Sequence, residues 1–226
     1  MFEKHVARLR ALGLKDSLRY YLGTAGVERL GMLVLRSYRW PSSPRDDSDA
    51  PPAELTFEIV SRYEDMSPRD LEVLRAYGGD ALTRSFSDSF ERGWRCALSH
   101  DKGELTSVAW ILRSSPYQAQ DGKRAWLVQS CFTLPAHRGR KHYARLLRFV
   151  GSSLASQSPE VPVQVESAVW NTASMRGIEH AGFRPVGTRF EFRGTNVFVP
   201  NDDGHSIAWA TLLRQISDGR ARSQRR

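Results

Sequence analysis

Residues 125–150 read AWLVQSCFTLPAHRGRKHYARLLRFV, and the order of events in this stretch decides the architecture. Residues 124–135, RAWLVQSCFTLP, read as a strand, a run largely of strand-forming residues. Pro135 ends it, because proline has no amide to give a ladder. A basic loop follows, Arg138-Gly139-Arg140-Lys141-His142-Tyr143, and then a helical pattern with Leu146, Leu147 and Val150 facing inward. The unpaired amides of a helix start, together with the positive end of its dipole, form a natural anion site. Arg138, Arg140 and Lys141 would add charge-assisted donors. The loop therefore reads as a phosphate or pyrophosphate cradle, with a solvated basic turn as the alternative.

Downstream, residues 163–183 read VQVESAVWNTASMRGIEHAGF. A strand with one carboxylate is followed by a short helix, with Asn171 as its cap and Gly182 as its stop. A carboxylate on a core strand is costly unless it is paired or functional. Glu166 is thus a candidate general base, because burial raises a carboxyl toward the range useful for taking a proton from an ammonium. The alternative is a Glu that pairs with an Arg or faces solvent.

Working outward, residues 2–40 read as amphipathic helices broken near Gly13 and Gly23–Gly26. Residues 41–53, rich in proline and small polar residues, read as a linker. The main domain is expected over 54–218, with 219–226 a basic disordered tail. It opens with a strand-like run at 55–63. Two helices divided at Gly78–Gly79 come next, with Ser67-Pro68 as cap and first turn. Asp101-Lys102-Gly103 marks a hairpin. Segments 183–194 and 195–200 read as strands, and GHSIAWATLLRQIS as a terminal helix. Strands mixed with helices in this order indicate one mixed α/β sheet.

The pair of segments resembles the acetyl-CoA-binding core of the GNAT superfamily of N-acyltransferases. That family's loop is commonly Gln/Arg-x-x-Gly-x-Gly/Ala after a strand ending near proline. Its second pattern is a strand Glu, then Asn, a small residue and Tyr-Glu-x-x-Gly-Phe. Here the matching residues are Arg138 to Tyr143, then Glu166, Asn171, Ser174 and Ile178-Glu179-His180-Ala181-Gly182-Phe183. The resemblance covers about residues 55–200 and is specific only over 125–183. It implies a central mixed, mostly antiparallel sheet flanked by helices. It also implies that Phe132, Thr133 and Leu134 offer backbone groups to the thioester and pantetheine. The amides of Arg138, Gly139, Arg140, Lys141, His142 and Tyr143 would cradle the pyrophosphate, and Asn171 and Ser174 would lie beside the pantetheine arm. Glu166 occupies a position where some members place a base.

Three residues depart from the pattern. Lys141 stands where the loop usually has glycine, so its side chain either blocks close approach to phosphate or contacts it. Tyr143 replaces a second small residue. Ile178 replaces the tyrosine that many members use to protonate the leaving thiolate. A thiol with a pKa of about 8.5 can leave unassisted.

The resemblance thus implies an N-acetyltransferase that passes an acetyl group from acetyl-CoA to a primary amine by direct attack. An amino sugar of a surface-polysaccharide pathway is one acceptor class. The alternative is an inactive CoA-binding regulator or scaffold. The net charge of +8 favours anionic partners, but the basic tail lacks the interleaved aromatics of a nucleic-acid binder, so no sequence-specific nucleic-acid partner is expected. The N-terminal stripe, with Arg8, Arg10, Lys15, Arg19 and Arg29, suits packing on the domain, homodimer formation or weak contact with a membrane surface.

Cys96 and Cys131 have no metal-ligand spacing. His137 and His142 read as surface imidazoles flanking the loop. His5, His100, His180 and His205 share no ligand spacing, so no metal is expected. Trp94, Trp110 and Trp126 read as core residues. The N-terminus lacks a secretory pattern and no apolar run reaches a membrane span, so a cytoplasmic protein is expected.

Overall fold

The structure, a computed structural model, describes residues 32–41, 53–113, 124–192 and 195–200. The chain divides into two compact units. The larger comprises residues 39–165 and 177–183, the smaller 1–38, 166–176 and 184–226. Eight strands lie among the described residues: β1 Met32–Arg39, β2 Leu55–Val60, β3 Arg95–Asp101, β4 Glu104–Arg113, β5 Trp126–Thr133, β6 Val163–Ala168, β7 Arg184–Phe192 and β8 Thr195–Pro200. Three helices accompany them: α1 Pro68–Glu91, α2 His142–Gln157 and α3 Thr172–His180.

In the larger unit β2, β3, β4 and β5 follow one another as antiparallel neighbours. Val163 to Val165 of β6 then pair in parallel with Trp126 to Val128 of β5. In the smaller unit β7 and β8 form an antiparallel pair, with Phe192 opposite Thr195. The expected mixed, mostly antiparallel α/β architecture is therefore present.

The larger unit's core shows why the sequence folds this way. Phe86 and Phe90 stand four residues apart on the second part of α1, and Leu74 is buried on the part before the break at Gly79. They pack with Cys96, Leu98, Val108 and Trp110 from β3 and β4. Trp110 meets Phe86 and Phe90 edge-on, at ring centroid separations of 4.8 and 5.0 Å. On α2, Leu146, Leu147, Val150 and Leu154 are all fully buried, as the helical pattern requires. Helix α1 begins as its sequence predicts: Ser67 Oγ accepts from the Asp70 amide at 3.0 Å, and Pro68 occupies the first turn. The division at Gly79 is also present, with φ at 70° and ψ at −171°.

Two expectations need correction. Residues 32–39 are strand β1, not helix, so the helical reading of residues 2–40 fails over its last turns. Ser37 and Tyr38 are both buried there, although the sequence shows no clear apolar–polar alternation. Trp40 also belongs with the larger unit instead of an extension. Its ring meets Phe183 edge-on at 5.0 Å and lies against Gly151, where an added Cβ would fall 2.4 Å from the indole. The remaining N-terminal helices, most of the linker, the terminal helix and the basic tail lie outside the described residues.

Candidate acyl-donor site

Strand β5 carries the first element of the site. Opposite Val108–Trp110 of β4, three β5 steps separate Phe132 from Gln129, so β5 holds one extra residue. Ser130 accommodates it with φ at 50°. Such a bulge breaks the ladder locally and re-aims backbone groups. Below the bulge, Thr133 Oγ1 shares a hydrogen bond of 2.9 Å with Ser107 Oγ, and the Leu134 amide donates to the Thr106 carbonyl. Phe132 is stacked on Tyr77 of α1, with centroids 5.4 Å apart and planes 19° from parallel.

The basic loop forms the second element. A 3-10 turn at Pro135–His137 leads into it. Arg138 Nε donates to the Thr133 carbonyl at 3.1 Å, which fixes how the loop leaves the strand. Gly139 then takes φ at 80°, with open space where a Cβ would stand. Lys141 adopts the left-handed conformation, φ 63° and ψ 10°, immediately before α2. No acidic residue occupies the first turn of α2, although Asp101 Oδ2 comes within 3.8 Å of the His142 ring. Arg138, Gly139, Arg140 and Lys141 are exposed. These features fit an anionic group. They also explain the glycine of the family pattern at position 141, since a left-handed lysine costs about 1 kcal/mol relative to glycine.

Tyr143 has a compensating partner. Its ring lies on Gly177 of α3, where an added Cβ would be 2.4 Å from Tyr143 Cδ1. The larger residue in the loop is thus accommodated by the smallest one in the facing helix. His142 is buried, at 4% exposure, which corrects its reading as a surface imidazole. Burial pushes it below the ordinary imidazole range, against the pull of Asp101 3.8 Å away. Ile178 is fully buried in the larger unit.

Cys131, at the bulge, is half-buried. Burial pushes its thiol up to about 12, which disfavours the thiolate at neutral pH. Cys96 is likewise raised by burial.

Glu166 lies in the smaller unit, where its carboxylate is fully engaged. Arg189 of β7 grips it bidentately: Nε donates to Oε1 at 3.0 Å and Nη2 to Oε2 at 2.5 Å. Ser37 Oγ of β1 donates to Oε1 at 2.8 Å. The Glu166 and Arg189 side chains are each 8% exposed. In the same unit Asn171 Oδ1 accepts from the Ser174 amide at 3.2 Å and caps α3, as its sequence position suggests.

Sequence reading missed a further cluster in the larger unit. His100 Nε2 lies 3.1 Å from Asp70 Oδ1, and its Nδ1 lies 3.8 Å from Glu58 Oε1. Thirty residues separate Asp70 from His100, so spacing gave no signal. The hydrogen bond to Asp70 raises His100 above its ordinary value, against burial. Burial would raise Asp70, but hydrogen bonds from His100 and Ser67 hold it below the carboxylate range. The His100 contribution to stability is complete below about pH 6.5 and disappears as pH rises through the folded value. The Asp70 contribution is present above about pH 3.9 and disappears as pH falls through the folded value. Urea unfolding at pH 5.5 and 8.5 tests this. The gap between wild type and Asp70→Asn is expected to shrink at the higher pH, and an unchanged gap contradicts the linkage.

No family model matches the sequence, and no curated protein matches it. The fold, however, has solved counterparts. A GNAT-family acetyltransferase from Colwellia psychrerythraea superposes with a TM-score of 0.50 at 18% identity, over 71% of this chain and 56% of that one. A putative GNAT-family acetyltransferase from Novosphingobium aromaticivorans gives 0.47 at 19% identity, over 70% and 62%. The chain thus spans roughly three fifths of these two proteins. No described helix is long and apolar enough to cross a membrane.

Proposed function

We propose, for a chain that has the fold of the GNAT acetyltransferases, that it moves an acetyl group from acetyl-CoA to a primary amine. The observation that carries this reading is the run from the β5 bulge through the left-handed loop to the start of α2. Phosphate oxygens would be held by the loop amides and by the Arg138, Arg140 and Lys141 side chains. The bulge around Ser130 and Cys131 is the natural source of an amide for the developing oxyanion.

In the reaction a neutral amine attacks the thioester carbonyl. A C–N bond forms, the C–S bond breaks, the thiolate leaves with the electron pair and the nitrogen gives up a proton. The raised Cys131 thiol favours direct attack over an acyl-cysteine intermediate. Buried Ile178 supplies no acid, and a thiolate of pKa about 8.5 needs none.

Glu166 has two candidate roles: the base suggested by its position, or the strut described by its contacts. Its contacts with Arg189 and Ser37 favour the strut, because proton transfer would require it to release a donor. In that case the proton passes to solvent. A scaffold that binds CoA without turnover is the second reading, favoured by the same engagement of Glu166 and by Ile178. Among acceptors, an amino sugar is the first class to test. Tyr77, 43% exposed and stacked on Phe132, offers a flat apolar surface suited to a sugar ring.

Calorimetry with acetyl-CoA and with S-acetylpantetheine tests the cradle. The loop predicts that removing the pyrophosphate and nucleotide weakens binding by at least about 100-fold, the worth of one or two charge-assisted hydrogen bonds. Equal affinities would reject it.

A further inference from the structure

Trp126 does not join the aromatic core as its strand position suggests. Arg113 Cζ lies 3.8 Å from its ring centroid, and Arg95 Cζ lies 4.4 Å from the same ring. The strand registers explain the meeting. Arg113 is directly opposite Trp126 across β4 and β5. Arg95 is opposite Ile111, two residues before Arg113, so all three side chains share one face of the sheet.

The charge at this point is not balanced. No carboxylate among the described residues pairs with Arg95, Arg113 or the neighbouring Arg124; Arg113 and Arg124 are exposed. Among the described residues, the polar side-chain contact of Arg95 is a long one to Gln157 Oε1 at 3.5 Å. Arg95 Nη2 and Trp126 Nε1 are shielded donors without an acceptor. Burial and the nearby Arg113 both disfavour the charge on Arg95. Among the described residues, like charges are gathered here beside unsatisfied donors, an arrangement that an anionic acceptor would complete.

We propose that Arg95, Arg113 and Trp126, with Arg124 beside them, bind a phosphate group of a small molecule at a site separate from the loop at 138–143. Stacking on the indole holds the planar guanidinium forks in fixed orientation, and such forks match a phosphate better than a monocarboxylate. The two sites stand at opposite ends of the same elements. Trp126 begins β5 and Thr133 ends it, roughly 23 Å away at about 3.3 Å per residue. Gln157 ends α2, whose first turn belongs to the loop.

The test uses the full chain labelled at the tryptophan indole nitrogens, with the Trp126 resonance identified by its loss in Trp126→Phe. Inorganic phosphate is titrated to about 10 mM at constant ionic strength. The site predicts a saturable shift of the Trp126 resonance. Sulfate should reproduce it and acetate should not. Arg113→Gln and Arg113→Lys should each raise the half-saturation point at least ten-fold, with the other indole resonances in place as evidence of an intact fold. Lys141→Gln, in the loop, should leave it unchanged. A Trp126 resonance that does not move, keeps the wild-type half-saturation point in both Arg113 variants, or moves equally with acetate would overturn the proposal and leave a purely structural stack. A shift lost in Lys141→Gln would assign the anion to the loop instead.

Discussion

Gly139→Pro is expected to remove measurable acetyl-CoA binding while the cooperative unfolding of the sheet is largely retained. The native φ of Gly139 is 80°, and proline fixes φ near −65°. The loop must therefore change course between the Thr133 carbonyl, where Arg138 is anchored, and the first turn of α2. Proline also deletes one amide donor. Losing the aligned amides and one or two charge-assisted contacts, each worth about 1.5–3 kcal/mol, predicts a loss of at least 100-fold in affinity. Gly139→Ala separates the two causes. Its Cβ meets nothing within 4 Å and its amide is kept, so only the backbone strain of about 1 kcal/mol remains. A proline variant that binds acetyl-CoA as tightly as wild type would show that the loop does not hold the pyrophosphate.

Arg189→Ala is expected to destabilise the fold by about 3–5 kcal/mol, the cost of leaving one partner of a buried ion pair behind. Both side chains are 8% exposed, so water cannot readily replace the guanidinium. Ser37 alone would remain on the carboxylate. Glu166→Gln should cost less, since an amide oxygen still accepts from Arg189. Replacing both residues, Glu166→Leu with Arg189→Met, should recover much of the loss. Chemical unfolding checks the set. An Arg189→Ala variant as stable as wild type would remove the strut reading and return Glu166 to the role of base. The turnover of Glu166→Gln then decides: a strut predicts a pH–rate profile of unchanged shape, whereas a base predicts loss of its acidic limb.

The sequence was legible where the information is local. The strand stop at Pro135, the cap at Ser67, the break at Gly79 and the inward stripe of α2 all follow from neighbouring residues, and each is present. The strand β1 was missed because Met32 to Arg39 is also rich in residues that form good helices and carries no clear apolar–polar alternation over its eight positions. The partners of charged groups were not legible at all. Arg189 meets Glu166 across 23 residues, and His100 meets Asp70 across 30. Pairing of this kind depends on strand register and helix placement, which no single-sequence spacing encodes. His142 was misread for a related reason. A histidine in a basic loop resembles a solvated one, but the first residue of α2 turns inward.

Amine-dependent release of free thiol from acetyl-CoA tests the central claim most directly. It can be followed with a thiol reagent over a panel that begins with amino sugars and includes aromatic and linear amines. The acyltransferase reading predicts release only when protein, acetyl-CoA and a productive amine are all present, with one acetylated amine formed per thiol. Saturable acetyl-CoA binding with no release for any amine in the panel would contradict it and leave a CoA-binding scaffold.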